Sequence, residues 1–353
     1  MAIYPRDGSS STMTEDTVIR HCVACGSERW QIAETWKRYQ LAICSECELT
    51  FTINPDYHAG RYVIVYEGTS GDGPLPEEQR HIYTQPEQRL KLEALALWVP
   101  PSRLTPAEKV AFKWLRGRAP ERAVVIDCGC GVGRFQRALQ KTAWQAVGVE
   151  VSEPLVALLN RSGLKAIQGE APDFLWADPE PFAITFFEVL EHLPNPAEVI
   201  ERLKHRFPTA TVIASVPSPR RASLLRSGQR GTADFPPHHF LRWTPKALEI
   251  LFKKLDYTTV TVELPPPTGS ELMPAVGQFL SRVAKGRRPV SAGNSPFMKA
   301  TTHRATLGRC QATAVVWMHR GYQIAMDFIG APKAWLAARQ GGSAASMLVI
   351  AEP

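Results

Sequence analysis

The stretch Asp127-Cys128-Gly129-Cys130-Gly131-Val132-Gly133 decides how this chain folds. An apolar run, Ala123 to Ile126, leads into it, and a helical pattern starts near Arg134. The order is therefore buried strand, glycine turn, helix. Glycine has no Cβ, so backbone amides in such a turn approach a ligand closely. The helix start behind it adds unpaired N–H groups and a partial positive charge.

The next strand narrows the choice of ligand. Ala146-Val147-Gly148-Val149 reads as a strand with Glu150 at its end. An acidic residue about 20 residues after the glycines is placed to accept both ribose hydroxyls of a nucleoside. A dinucleotide fingerprint needs G-x-G-x-x-G. Here the third glycine comes one position early, and Arg134 takes its slot. With Asp127 before the G-x-G-x-G turn and Glu150 after it, the stretch resembles the S-adenosylmethionine site of class I methyltransferases. A Rossmann-type turn for another nucleotide, or for none, is the competing reading.

That resemblance implies an α/β Rossmann-like fold, a doubly wound sheet of seven strands with the last antiparallel. It also implies a cofactor site built from Asp127, Gly129, Gly131, Gly133, Glu150, Glu170, Ala171 and Glu188. Gly169-Glu170-Ala171 follows the short strand Lys165 to Gln168 and fits the loop that faces the adenine in this family.

A second signal lies near the start of the chain. Cys22-Val23-Ala24-Cys25-Gly26 and Cys44-Ser45-Glu46-Cys47 form two C-x2-C pairs at the spacing of a tetrathiolate zinc site. Gly26 permits a tight knuckle, and Trp30 to Leu41 reads as a hairpin between the pairs. Four thiolates leave no open coordination position, so this zinc is expected to be structural. Two disulfides, or a redox pair, are the alternative, which a reducing cytosol disfavours.

The chain has 353 residues, enough for one large α/β domain and a smaller module. No apolar run has the length of a membrane span, and the polar lead Met1 to Asp16 lacks a signal-peptide core, so a cytoplasmic location is expected. The formal net charge is +7. Basic residues cluster at Arg220, Arg221, Arg226 and Arg230, and again between Arg282 and Arg309. Such clusters suit phosphates on a sugar nucleotide, a nucleic acid or a membrane surface; a solvated basic face is the plainer reading.

The expected organisation is a disordered lead over 1–17, a four-cysteine zinc-ribbon module over 18–55, and a linker with helices over 56–105. A methyltransferase domain over 106–264 and 342–353 follows, interrupted by a helical insertion over 265–341. Thr105-Pro106-Ala107-Glu108 is a capping box with proline at the first helical position. Ser152 and Asn195 are read as caps of later helices. The insertion carries helical patterns at Val276 to Val283 and Ala312 to Ile329. Its Trp317, Met318, Tyr322, Met326 and Phe328 motivate peripheral membrane contact, against the plainer reading of a helical core.

Chemistry is expected after the strand Phe182 to Phe187, in Glu188-Val189-Leu190-Glu191-His192-Leu193. Ligands in open α/β sheets bind at the carboxyl ends of strands. The E-x-x-E-H string resembles methyltransferases of the ubiquinone-biosynthesis type. It is also similar to RNA 3′-terminal 2′-O-methyltransferases, in which the two acids and the histidine hold a divalent ion with a later histidine. A later candidate stands in Pro236-Pro237-His238-His239-Phe240. A divalent ion at Glu188, Glu191 and His192 would lower the pKa of an acceptor hydroxyl. Without a metal, His192, His238 and His239 are the candidate bases.

The function expected is methyl transfer from S-adenosylmethionine to a small-molecule, sugar or glycoconjugate acceptor, with oxygen the favoured atom and the acceptor a candidate to bear phosphate. RNA 2′-O-methylation is the runner-up. A non-catalytic S-adenosylmethionine sensor, with the ribbon as its interaction module, is the third reading.

Overall fold

Thr105 forms its capping box as the sequence predicts. Its hydroxyl accepts from the Glu108 N–H at 3.1 Å, and the Glu108 carboxylate accepts from the Thr105 N–H at 2.7 Å. The other Glu108 oxygen takes Arg134 Nε at 2.9 Å, which ties this first helix, α1 (Pro106–Arg118), to the glycine turn. The computed structural model describes residues 18–55, 69–70, 73–74, 104–176, 179–221, 230, 234–272 and 325–353. The expected lead, most of the linker, most of the insertion and the second basic cluster lie outside the described residues.

Three short strands open the chain: β1 (Trp30–Trp36), β2 (Tyr39–Cys44) and β3 (Thr50–Thr52), followed by the two-residue ladder β4 (Thr69–Ser70) and β5 (Gly73–Pro74). After α1 come β6 (Val124–Cys128), α2 (Arg134–Leu139), β7 (Gln145–Glu150), α3 (Glu153–Arg161), β8 (Lys165–Gln168) and β9 (Ala183–Phe187). A 3-10 turn at Leu190–His192 leads to α4 (Pro196–Arg206) and β10 (Thr211–Pro217). Then follow β11 (Leu241–Arg242), α5 (Pro245–Lys254), β12 (Thr259–Glu263), the single turn α6 (Gly269–Leu272), a helix α7 over 325–339, and β13 (Ser346–Glu352).

Seven strands form the main sheet in the order β12-β13-β10-β9-β6-β7-β8. Neighbours from β10 through β8 run parallel, while β13 is antiparallel to both β10 and β12. Alternation along the strands separates the two faces. Val212, Ala214 and Val216 of β10, with Met347, Val349 and Ala351 of β13, pack under α4 and α5. Ile213, Leu348 and Ile350 point the other way, onto Ala107, Ala111, Phe112 and Leu115 of α1. Each fully buried Leu or Ile contributes roughly 1.5–3 kcal/mol, so both helical layers are bound to the sheet by side chains whose period is 2 on the strands and 3.6 on the helices.

Three expectations are corrected. Ser152 and Asn195 occupy N-cap positions, but neither side chain caps. The Glu150 carboxylate takes the Val151 and Ser152 N–H groups, and Asn195 donates to the Glu198 side chain instead. The helical pattern ending at Ile329 continues to 339. Within it Met326 is buried, not membrane-facing, while Phe328, Ile329, Trp335 and Leu336 are exposed. Among the described residues no helix is long and apolar enough to cross a membrane.

The N-terminal module shares a sheet with the larger domain. β11 pairs antiparallel with β3, giving a four-stranded sheet in the order β1-β2-β3-β11. Thr52 donates from both its N–H and its hydroxyl to the Phe240 carbonyl, at 2.9 and 3.0 Å. Trp36 stacks on Phe235 with ring centroids 4.2 Å apart, and Thr244 Oγ1 donates to the Cys47 carbonyl at 2.9 Å. Cys22, Cys44 and Cys47 join the same apolar cluster as Phe240, Trp243 and Leu248.

Candidate functional site

The glycine turn bends back across the end of β7. Gly129 and Cys130 donate their N–H groups to the Val149 carbonyl at 2.8 and 3.1 Å, and Gly131 donates to the Glu150 carboxylate at 3.0 Å. Gly129, Gly131 and Gly133 all hold positive φ, at 69°, 54° and 72°. A Cβ on Gly129 would lie 2.6 Å from Val189 Cγ2, so the turn has no room for a side chain there. α2 is six residues long, so its N-terminus contributes less field than a long helix would.

A cleft opens at the carboxyl ends of β6, β7, β8 and β9, where the strand order reverses between β6 and β9. Its cavity volume is about 170 Å³, with a mouth open to solvent. Cys128 and Gly129 form its floor, Glu150 and Val151 one side, Glu170 and Ala171 another, and Glu188, Val189 and His192 the far end. Of the residues expected to touch a cofactor, Gly129, Glu150, Glu170, Ala171 and Glu188 therefore line one cleft.

Asp127, Gly131 and Gly133 do not line it. Asp127 is fully buried beneath the turn, where its carboxylate accepts from Thr185 Oγ1 at 2.7 Å. Burial pushes its pKa up to about 7, against the pull of that hydrogen bond. Gly131 orients Glu150, and Gly133 packs against Leu159 and Leu164. These three residues build the turn. Cys128 lines the cleft, while Cys130 packs behind it with Leu155 and Leu159.

Glu150 is buried, and desolvation raises its pKa against three backbone N–H donors that favour the carboxylate. Glu188 holds a left-handed backbone, φ 58°, which costs a non-glycine residue about 1–3 kcal/mol. Its N–H donates to the Ser215 carbonyl at 3.0 Å and its carboxylate accepts from Ser215 Oγ at 2.9 Å. Sequence reasoning passed over Ser215, Val151 and Val189. Only the register of β9 beside β10, Phe187 opposite Ser215, reveals Ser215 as Glu188's clamp.

At the far end two histidines meet. His192 and His239 are edge to face with centroids 4.9 Å apart. His192 Nδ1 lies 2.5 Å from the His238 carbonyl oxygen, to which it donates, and the ring also interacts with the Glu188 backbone. Desolvation lowers the His192 pKa to about 4 and that of His239 to about 3, so both rings are neutral at pH 7. His238 is exposed and lines neither cavity described in this chain; it serves through its backbone.

Glu191 is fully buried, and both its carboxylate oxygens lack a hydrogen-bond partner among the described residues. Burial, then the Glu188 charge, pushes its pKa well above the usual range. Glu191, His192 and His239 each bring one candidate ligand atom within 4.8 Å of the others. Glu188, expected in that set, is not part of it; its carboxylate faces Ser215. Carboxylate with two imidazoles suits Mn²⁺ or Fe²⁺ better than Mg²⁺.

The second cluster is Cys22, Cys25, Cys44 and Cys47, also within 4.8 Å. Cys22 and Cys47 sulfurs lie 3.4 Å apart and Cys25 and Cys44 3.5 Å apart, so neither pair is a disulfide. A tetrahedral ion with bonds of ~2.3 Å needs sulfurs about 3.8 Å apart, close to this arrangement. Both knuckles turn through a left-handed residue, Gly26 at φ 76° and Glu48 at φ 64°. The Gly26 and Glu48 N–H groups donate to the Cys22 and Cys44 carbonyls.

Residues 103–262 match the family model of a methyltransferase domain. The chain is 31% identical over 104 residues to a ubiquinone biosynthesis O-methyltransferase of Xylella fastidiosa, covering 27% of this chain and 42% of that protein. It is 27% identical over 197 residues to the protein of the same name from Methylococcus capsulatus, covering 48% and 78%. The chain thus spans less than half the length of the first relative. A crystal structure of an S-adenosylmethionine-dependent methyltransferase from Archaeoglobus fulgidus aligns at 14% identity and TM-score 0.39, over 70% of this chain and 94% of that one.

Proposed function

We propose that the chain, whose residues 103–262 match a methyltransferase domain, transfers a methyl group from S-adenosylmethionine to an oxygen of a small-molecule acceptor. The observation that carries this reading is one cleft that joins Gly129, Glu150 and Glu188 to the neutral imidazole of His192. S-adenosylmethionine, when bound, supplies a methyl group already activated on a positively charged sulfur. Glu150 is placed to accept ribose hydroxyls once Gly131 yields part of its hold, and Glu170 and Ala171 to flank a base. His192, neutral and at the end of the cleft, takes the acceptor's hydroxyl proton as the oxygen attacks. Phe186, Val189 and Leu193 keep water from the reacting atoms.

The similarity to ubiquinone biosynthesis O-methyltransferases supports a small-molecule acceptor methylated at oxygen. We read the four cysteines as ligands of one structural Zn²⁺, because their four sulfurs lie within 4.8 Å of one another. The unpartnered carboxylate of Glu191 favours a second reading, in which Glu191, His192 and His239 hold a divalent cation that acidifies the acceptor hydroxyl. The test is release of S-adenosylhomocysteine from S-adenosylmethionine on challenge with a panel of catechols, phenols and sugar phosphates. Turnover with any of them supports the proposal. Tight donor binding without turnover on any acceptor class would leave the sensor reading in its place.

A further inference from the structure

A second cavity, with a mouth open to solvent, lies in the seam between the cysteine module and the larger domain. Ile43, Glu48 and Thr50 of the module form one wall, and the segments around Pro217–Arg221 and His239–Thr244 form the other. His239 belongs to this cavity and its ring contacts His192, which belongs to the donor cleft. The two spaces therefore meet at the histidine pair.

The charge of the seam is unbalanced. Arg221, Arg230 and Arg242 all line it. Asp234 pairs with Arg221, and Glu34 with Arg242, while Glu48 on the module side pairs with Lys246. Among the described residues, three guanidiniums thus face two carboxylates that answer them. Desolvation first, then the charges of Arg242 and Arg221, lowers the Arg230 pKa against the pull of Asp234 and Glu34.

The hydrogen-bond inventory points the same way. Arg242 Nη2 and Trp243 Nε1 are both buried and have no acceptor among the described residues. Both belong to residues that line this cavity. Arg242 is otherwise fully engaged: Nε donates to the Asp234 carbonyl at 3.0 Å, Nη1 meets Glu34, and the guanidinium lies 4.4 Å over the Phe235 ring. A desolvated guanidinium with one unsatisfied N–H lacks an oxygen acceptor.

We propose that the seam cavity binds an oxyanion group of the methyl acceptor, a carboxylate or a phosphate, held by Arg242 and Arg230, with the cysteine module as the outer wall of the site. The proposal rests on the methyl-transfer reading for the identity of the ligand as acceptor. It gives the module a direct part in acceptor recognition, in place of a separate interaction role. The anion anchors one end of the acceptor in the seam, and the hydroxyl reaches the histidine pair at the other.

Calorimetric titration of the full chain, saturated with S-adenosylhomocysteine, tests this with two probes, sodium phosphate and sodium acetate. At least one is expected to bind, and which one binds more tightly separates phosphate from carboxylate. Arg242→Lys and Arg230→Gln are each expected to weaken that probe tenfold or more, with affinity for S-adenosylhomocysteine unchanged within twofold. Arg230 is exposed, so its variant keeps the test informative if Arg242→Lys loosens the seam. Absence of binding by both probes, or equal binding in wild type and Arg230→Gln, overturns the proposal. Failure of S-adenosylhomocysteine to bind the wild type would instead strike the methyl-transfer reading, and the anion titration is then decided on the protein alone.

Discussion

His192 and His239 meet edge to face with ring centroids 4.9 Å apart, and each lines a different cavity. The contact marks where a donor in the cleft and an acceptor in the seam come within reach of each other. His192→Asn keeps a donor for the His238 carbonyl but has no basic nitrogen. Its rate of S-adenosylhomocysteine formation should fall by ~10²–10⁴-fold, while donor affinity stays within a few-fold. Single-turnover measurements read this directly; an unchanged rate removes His192 as the base.

Asp127 makes a prediction about pH. A carboxyl that titrates near 7 in the fold, against an ordinary value of 3.8, is protonated more readily in the folded chain than in the unfolded one. Its contribution therefore favours the fold most below about pH 4 and is lost as pH rises toward 7, at up to roughly 1.4 kcal/mol per pH unit. Asp127→Asn should flatten this part of the stability profile, and Asn keeps an acceptor for Thr185. Urea denaturation from pH 4 to 8 checks it. Equal slopes in the two proteins would contradict the burial argument.

The cysteine module should depend on its ion. Cys44→Ser removes one of four sulfurs, and apparent zinc affinities of such sites are roughly 10 kcal/mol or more. Mass spectrometry of the native full chain is expected to find one zinc, lost in the variant. Because Thr244 and Phe240 are bonded to the module, the loss should lower the melting temperature of the whole protein. A metal-free wild type of full thermal stability would refute the zinc assignment.

Much of this was legible in the sequence, for a local reason. Gly129 to Glu150 lie within one βαβ unit, where a turn, a strand end and an acid are fixed by short-range spacing. The four cysteines are likewise two local knuckles. What stayed hidden is long-range. β11 is two residues long, and Thr52 reaches Phe240 across 188 positions, so no pattern announces that the module and the domain share a sheet. His238 and His239 look equivalent in sequence. Neighbouring residues in extended chain point to opposite sides, and only His239 turns inward. Ser152 and Asn195 were placed correctly as N-caps, but a nearby carboxylate and a competing acceptor took over their hydrogen bonds.

Glu191 separates two accounts of the histidine pair. A buried carboxyl with no hydrogen-bond partner among the described residues, and only the neutral His239 ring 3.9 Å away, either keeps its proton or meets a cation. If it meets a cation, Mn²⁺ binds the full chain at micromolar levels by electron paramagnetic resonance, and Glu191→Gln weakens binding at least tenfold. If Mn²⁺ does not bind below millimolar concentration, Glu191 is a buried acid and the metal reading ends.

The central claim is that the cleft beside Gly129 holds the methyl donor. Calorimetric titration of S-adenosylhomocysteine into the wild type and into Gly129→Ala tests it most directly, since a methyl group there would meet Val189 at 2.6 Å on a left-handed backbone. One site per chain is predicted in the wild type, weakened at least tenfold in the variant. No heat from the wild type, or equal affinity in both proteins, would contradict the account.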